Sequence, residues 1–176
     1  VRMRLRTDLA TIDLAGPTDC AIGTPDDRDA IVARLGPDPL RRDAKPAEAL
    51  QRMARSKQPI GALLLDQKVM AGVGNAYRAE VLFVNAIHPL RPAADLSDAE
   101  REAVWATVVA MLRKGVKDNR IITIDRKEFP VPKGAPRRGD GTYVYFRDTC
   151  LRCGTPTGRL TLAGRDCYYC PACQPG

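Results

Sequence analysis

The C-terminal stretch CLRCGTPTGRLTLAGRDCYYCPACQPG limits what this chain can fold into more than any other part of it. Cys150 and Cys153 enclose two residues, Cys170 and Cys173 enclose two more, and sixteen residues separate the pairs. Paired knuckles at this spacing suit a tetrahedral Zn2+ held by four thiolates, which closes a fold too small to hold itself together by burial alone. Between the knuckles, TGRLTL and RDCYY flank Ala163-Gly164, so the spacing predicts a hairpin with a tight turn. Cys167 also encloses two residues with Cys170, which makes Cys167/Cys170 a competing second pair. CPAC has the small proline-containing turn of a knuckle whereas CYYC reads as strand, which favours Cys170/Cys173 and leaves Cys20 and Cys167 as ordinary thiols. Cysteines spaced for metal rather than for disulfides point to a reducing compartment, and the cytoplasm is the expected location.

Charge divides the chain unevenly. Residues 1–112 carry 15 basic and 15 acidic side chains, whereas residues 113–176 carry 13 basic and 6 acidic ones. The whole excess of +7 therefore lies in the last third, either as a polyanion-binding end or as a solvated basic surface. No apolar run approaches the roughly 18 residues of a membrane-spanning helix, and VRMRLRTDL lacks the apolar core of a secretory leader.

VRMRLR alternates apolar and basic residues and ATIDLAG places Ile12 and Leu14 on one face, so both read as strands. Two strands alone are marginal in water. Because the chain begins with Val1, they are expected to be the tail of a sheet whose other strands lie upstream. Thr24-Pro25 followed by Asp26 and Asp27 starts a helix that Gly36 is expected to close. Pro46 opens another, carrying Leu50, Met53 and Ala54. Pro59 opens a third, with Ile60, Leu63 and Leu64 at helical spacing, expected to run to Met70 or Ala71. Ser97 and Glu100 form a capping box ahead of a stripe of Val104, Trp105, Val108, Met111 and Leu112, expected to end at Arg113, Lys114 and Gly115. DRKEFPVPKGAPRRGDG, rich in proline, glycine and charge, is expected to be a mobile basic loop.

MAGVGNAYRAEVLF, residues 70–83, puts Gly72 and Gly74 at the threshold of a helix beginning at Asn75. Gly72 suits a left-handed position that ends the preceding helix, and Gly74 allows another backbone to come close. Exposed amides at a helix N-terminus attract anions, and Asn75 adds a side-chain donor. A tight helix–helix turn with Asn75 as an ordinary N-cap fits the spacing too. Arg165, just past the hairpin turn, is either a phosphate-reaching arginine or a solvated tip residue.

LLLDQKVMAGVGNAYRAEVLFVNAIHP resembles the helix–two-turns–helix segment of the formamidopyrimidine-DNA glycosylase / endonuclease VIII family, and YVYFRDTCLRCGTPTGRLTLAGRDCYYCPACQ is similar to that family's C-terminal zinc finger. The resemblance runs from about Pro25 to Gln174. It implies a mainly α fold: a helix–two-turns–helix bundle followed by a four-cysteine zinc β-hairpin, with remnant strands of an upstream β-rich catalytic domain at the N-terminus. The expected divisions are 1–24 for that remnant, 25–118 for the helical DNA-binding domain, 119–147 for a flexible basic linker and 148–176 for the zinc finger. One structural Zn2+ on Cys150, Cys153, Cys170 and Cys173 is implied. Asn75 and Arg165 are implied phosphate contacts, with Gly72, Gly74 and Lys68 as further DNA-binding candidates. The implied partner is duplex DNA containing damaged bases or abasic sites, bound by a monomer in a bacterial-type cytoplasm at the nucleoid.

The implied activity of the parent is base-excision repair by a DNA glycosylase and abasic-site lyase. The duplex is bent, the damaged base is flipped out, an N-terminal proline amine attacks C1′ to form a Schiff base, and a glutamate acts as acid and base. This chain starts Val1-Arg2 where the family has Pro-Glu, so the catalytic residues are expected upstream of Val1 and residues 1–176 are expected to be inactive alone. The interval from Tyr145 to Cys150 is two residues shorter than the family pattern. YVY and GRDCYYC lean towards the endonuclease VIII branch, which removes oxidised pyrimidines. A non-catalytic zinc-ribbon module for nucleic acid fits the same residues, and a ribosome-type RNA binder with a helix–two-turns–helix is a further class.

Overall fold

Alternation of apolar and charged residues at the N-terminus produces an antiparallel hairpin of β1 (Met3–Arg6) and β2 (Thr11–Leu14). The computed structural model describes residues 1–16, 20–130 and 139–176, and divides into two units, Val1–Arg34 and Leu35–Gly176. In the first unit Met3 pairs with Leu14 and Leu5 with Ile12, while Arg4 and Asp13 pair opposite one another and close a 2.5 Å salt bridge. Every residue of both strands is exposed. Helix α1 (Pro25–Val32) carries the expected cap at Thr24, which with Asp27 forms a capping box. It ends at Val32 rather than running to Gly36, whose amide instead donates to the Gln67 carbonyl at 2.8 Å.

The second unit contains α2 (Pro46–Ala54), α3 (Ile60–Leu63), α4 (Asn75–Val84), a 3-10 turn (Ala93–Asp95), α5 (Asp98–Asp118) and the antiparallel hairpin of β3 (Gly158–Leu162) and β4 (Arg165–Tyr169). In α2 the buried positions are Ala49 and Met53, one step round from the expected Leu50, Met53 and Ala54 face. Helix α4 is the pivot, because all but three of its ten residues are buried. Val81 and Leu82 join a core with Met53, Leu64, Val104 and Val108, while Ala79 and Phe83 join a second core with Ile122, Tyr143 and Tyr168. Burying a side chain such as Phe83 contributes about 1.5–3 kcal/mol, so a helix apolar on two faces binds two layers at once.

Three extents differ from the sequence reading. Helix α3 stops at Leu63, and residues 64–74 continue as turns held partly by Gln67, whose side chain accepts from the Gly72 amide at 2.8 Å and donates to the Val73 carbonyl at 3.1 Å. Val69 and Met70 are buried, but here side-chain bonds replace the helical ladder. Helix α5 runs through Gly115 to Asp118 and ends on Asn119 in the left-handed region. Gly115 is a packing glycine: a Cβ there would lie 2.0 Å from the Tyr77 hydroxyl.

The third difference concerns the stretch expected to be a loose linker. Residues 131–138, its middle, lie outside the described residues. Of the rest, Ile122, Ile124, Thr142, Tyr143 and Val144 are buried. The cause is Glu80 on α4, whose carboxylate accepts from the amides of Tyr143 at 2.7 Å, Val144 at 2.9 Å and Tyr145 at 2.9 Å, and from the Thr123 hydroxyl. Burial pushes the Glu80 carboxyl up, and these four donors oppose the shift.

Candidate nucleic-acid interface and metal site

The four cysteines Cys150, Cys153, Cys170 and Cys173 converge, with all their sulfurs within 4.8 Å of one another. The Cys153 Sγ lies 3.5 Å from that of Cys170 and 3.6 Å from that of Cys173. Four thiolates about 2.3 Å from a tetrahedral zinc would lie roughly 3.8 Å apart, so the donor set and its size fit that ion. Both knuckles are built alike: the Gly154 amide donates to the Cys150 carbonyl at 2.8 Å and the Gln174 amide to the Cys170 carbonyl at 2.9 Å. Burial and the thiols of Cys153 and Cys170 push Cys173 up to about 12, while the Thr155 hydroxyl helps hold Cys153 at about 6. Clustered thiols resist joint ionisation, and a bound cation relieves that resistance.

Cys167 does not join them. It lies on β4 with no exposed surface and pairs with Leu160, its sulfur 4.0 Å from the Tyr168 carbonyl, and burial pushes its thiol up against the pull of Arg78. Cys20 is exposed and belongs to the other unit.

The second candidate lies where α4 begins. Gly74 is its N-cap, in extended conformation, so Asn75 is the first helical residue rather than the cap. Helices α1 and α5 begin with capping boxes and acidic residues, whereas no side chain caps α4 and its first turn holds no acid. The first amides of a helix have no intrahelical partner and carry the positive end of its dipole. Gly72 has φ +87°, which requires glycine, but Gly74 has φ −104°, open to any residue. Among the described residues nothing lies within 4 Å of a Cβ built on either glycine. The close approach expected at Gly74 is therefore made by none of the described residues.

Arg165 opens β4, exposed, after the turn Ala163-Gly164, in which both residues have positive φ as in a type I′ hairpin. It shares an open cleft of about 480 Å³ with Gln58, Gln67, Gly74, Asn75 and Ala163. Asn75 and Arg165, ninety positions apart in sequence, thus meet on one surface. The Asn75 amide nitrogen donates to the Asp166 carbonyl at 3.0 Å. Gly72 adjoins this surface, but its amide is already bonded to Gln67. Lys68 is exposed, its amide bonded to Asp66 at 2.9 Å, and it is not among the residues lining the cleft.

Two buried side chains that the sequence reading passed over hold this surface together. Arg78, one turn into α4, donates to the carbonyls of Gly61 at 3.0 Å, Leu162 at 3.1 Å and Arg165 at 3.2 Å, and to the Asn75 amide oxygen. Gln174 accepts from the Cys170 amide at 2.9 Å and donates to the Ile87 carbonyl at 2.8 Å. The Asn-x-x-Arg spacing, which puts both residues on one helical face, was the available signal for Arg78.

The Formamidopyrimidine-DNA glycosylase H2TH domain family matches residues 35–126. The chain belongs to this family of DNA glycosylases. Among curated relatives, endonuclease 8 1 of Mycobacterium tuberculosis is 42% identical over 99% of this chain and 66% of its own length. The formamidopyrimidine-DNA glycosylase of Geobacillus kaustophilus is 38% identical over 84% of this chain and 54% of its own. The chain therefore spans about half to two thirds of the relatives it matches. Among solved structures, the MutM (Fpg) protein of Thermus thermophilus superposes with a TM-score of 0.68 at 34% identity, covering 85% of this chain and 57% of that one. A Lactococcus lactis Fpg variant in complex with a Fapy-dG containing DNA gives 0.70 at 25% identity, covering 88% and 57%. Among the described residues no helix is long and apolar enough to cross a membrane.

Proposed function

We propose that residues 1–176 form the DNA-binding portion of a base-excision-repair glycosylase and abasic-site lyase acting on oxidised bases, with oxidised pyrimidines preferred. One structural Zn2+ on Cys150, Cys153, Cys170 and Cys173 orders the C-terminal finger. The partner is duplex DNA carrying a damaged base or abasic site, bound by a monomer in the cytoplasm at the nucleoid. The observation that carries the reading is the cleft in which Gly74, Asn75 and Arg165 meet at an uncapped helix N-terminus. Backbone amides, an amide side chain and a guanidinium on one open surface suit a phosphate, and such contacts position a duplex without reading its sequence. The lean towards oxidised pyrimidines is supported by the endonuclease 8 relative at 42% identity, against 38% for the formamidopyrimidine-DNA glycosylase.

We assign no step of base removal or strand cleavage to a residue of this stretch, and residues 1–176 are expected to bind abasic duplex and to form no borohydride-trapped adduct. The binding claim is tested by titrating the zinc-loaded chain with a duplex containing a tetrahydrofuran abasic analogue at several salt concentrations. Arg165→Ala is expected to weaken binding and to lower the salt slope by about 1, the loss of one phosphate contact. Unchanged affinity and slope would remove Arg165 from the interface.

A further inference from the structure

Arg78 has no exposed surface, although it carries a guanidinium in the helix that opens the cleft. Its Nη1 donates to the Gly61 and Leu162 carbonyls and its Nη2 to the Arg165 carbonyl and the Asn75 Oδ1, while Nε has no partner among the described residues. None of the four acceptors is a carboxylate. Among the described residues Arg78 closes no salt bridge, and burial is the main influence lowering its pKa, with Arg165 and Asp166 acting from nearby in opposite senses. A buried charge held only by dipoles is costly to keep, and a neutral side chain of similar size would pack without that cost.

Its position explains what it does. A guanidinium has five N–H donors and no acceptor. A side-chain amide facing it can present only its oxygen, so the Asn75 amide nitrogen must turn the other way. That nitrogen has two hydrogens, and one goes to the Asp166 carbonyl at 3.0 Å. The second remains for an acceptor in the cleft that Asn75 lines. Without Arg78 the Asp166 carbonyl alone would orient the amide, and the side chain could leave the pose that aims its second hydrogen into the cleft. The same guanidinium holds the carbonyls at both ends of the hairpin turn, Leu162 and Arg165, against α3 and α4.

We propose that Arg78 is a positioning residue for DNA binding that acts through Asn75: its donor-only fork fixes Asn75 with the amide nitrogen towards the phosphate. The proposal rests on the reading of the cleft as a phosphate site. Arg78 itself touches no DNA. Lysine keeps the charge but not the planar fork, and is therefore no substitute.

The test measures binding of the zinc-loaded chain to the tetrahydrofuran duplex for wild type, Asn75→Ala, Asn75→Asp, Arg78→Lys, Arg78→Met and the Asn75→Ala/Arg78→Met double variant, with zinc content and melting followed for each. Asn75→Ala is expected to weaken binding about tenfold, the loss of one hydrogen bond to a charged group. Asn75→Asp, which keeps the Arg78 contact and removes the donor, is expected to weaken it at least as much. Arg78→Lys and Arg78→Met are each expected to weaken binding by about the same factor with the salt slope unchanged, and the double variant to be little worse than either single one. Two-dimensional NMR of the side-chain amides supplies a second readout. The Asn75 pair is expected to shift on adding duplex to wild type, and not in Arg78→Lys. If Arg78→Met fails to fold, Arg78→Lys and the NMR decide. Wild-type affinity in Arg78→Lys, a salt slope lowered by about 1 in Arg78→Met, or factors that multiply in the double variant would each overturn the positioning role. Unchanged affinity in Asn75→Ala and Asn75→Asp would instead overturn the reading of the cleft.

Discussion

Among the described residues are two antiparallel hairpins of nearly equal length that owe their stability to different things. The β1–β2 hairpin alternates cleanly, pairs Met3 with Leu14 and Leu5 with Ile12, and leaves all eight residues exposed. The β3–β4 hairpin alternates less cleanly, yet Cys167 and Tyr168 are buried, Arg78 binds both ends of its turn, and the knuckles at its base bring four thiols together. A regular pattern therefore marks a strand without saying what will hold it. Buried polar side chains reaching from elsewhere make the second hairpin part of a rigid surface. Arg78, Glu80 and Gln174, each fully buried, make bonds that join α4 or the turn after it to the finger and the stretch leading into it.

The largest expected effect is on the thiols. Zinc bound to small finger domains contributes about 10–16 kcal/mol, nearly all of it folding energy. Cys173→Ser is expected to lose zinc and the order of β3–β4, while Cys167→Ser keeps both, as read by metal analysis and by the dispersion of the amide spectrum. Zinc retained in Cys173→Ser and lost in Cys167→Ser would exchange the second knuckle's ligand. Next is Glu80→Ala, which leaves the buried amides of Tyr143 and Val144 without their acceptor. A loss of about 3–5 kcal/mol in denaturant unfolding is expected, with β3–β4 loosened and β1–β2 unchanged.

A smaller effect belongs to Glu100, whose carboxyl the Arg91 guanidinium and the Ser97 amide hold down at about 2, against an ordinary 4.5. A depressed carboxylate stabilises the fold above its unfolded pKa, and that contribution is lost as pH falls from about 4.5 through about 2. The pair is partly exposed, so the difference between wild type and Glu100→Gln is expected to be about 0.5–1 kcal/mol at pH 6 and to vanish near pH 2. The smallest effect is in the first hairpin. Ile12→Ser should change the unfolding of residues 35–176 by less than about 0.5 kcal/mol, since Ile12 is exposed. A larger loss would show that this hairpin is held by more than its own pairing.

What could be read in advance follows the same division. The capping boxes of α1 and α5, the knuckle pairs and the Ala163-Gly164 turn are local, so adjacent residues declare them. The longer extent given to α3 followed from the helical spacing of Ile60, Leu63 and Leu64, but beyond Leu63 Gln67 closes turns by side-chain bonds that no periodicity encodes. Gly115 looked like a stop because its packing partner, Tyr77, lies 38 positions away. The stretch after α5 looked loose because Glu80, which orders its described parts, acts across more than 60 residues. Arg78 was passed over for a related reason: despite its spacing from Asn75, an arginine inside a helix reads as a solvated residue until the carbonyls of a distant hairpin turn are seen around it.

The central claim is that the start of α4 and the β3–β4 turn form one DNA-binding surface. Amide hydrogen exchange on the zinc-loaded chain, with and without the tetrahydrofuran duplex, tests it most directly. The account predicts that DNA slows exchange together at residues 74–77 and 163–166, with residues 3–14 unaffected. Protection at one of the two segments without the other, or at neither, would contradict it.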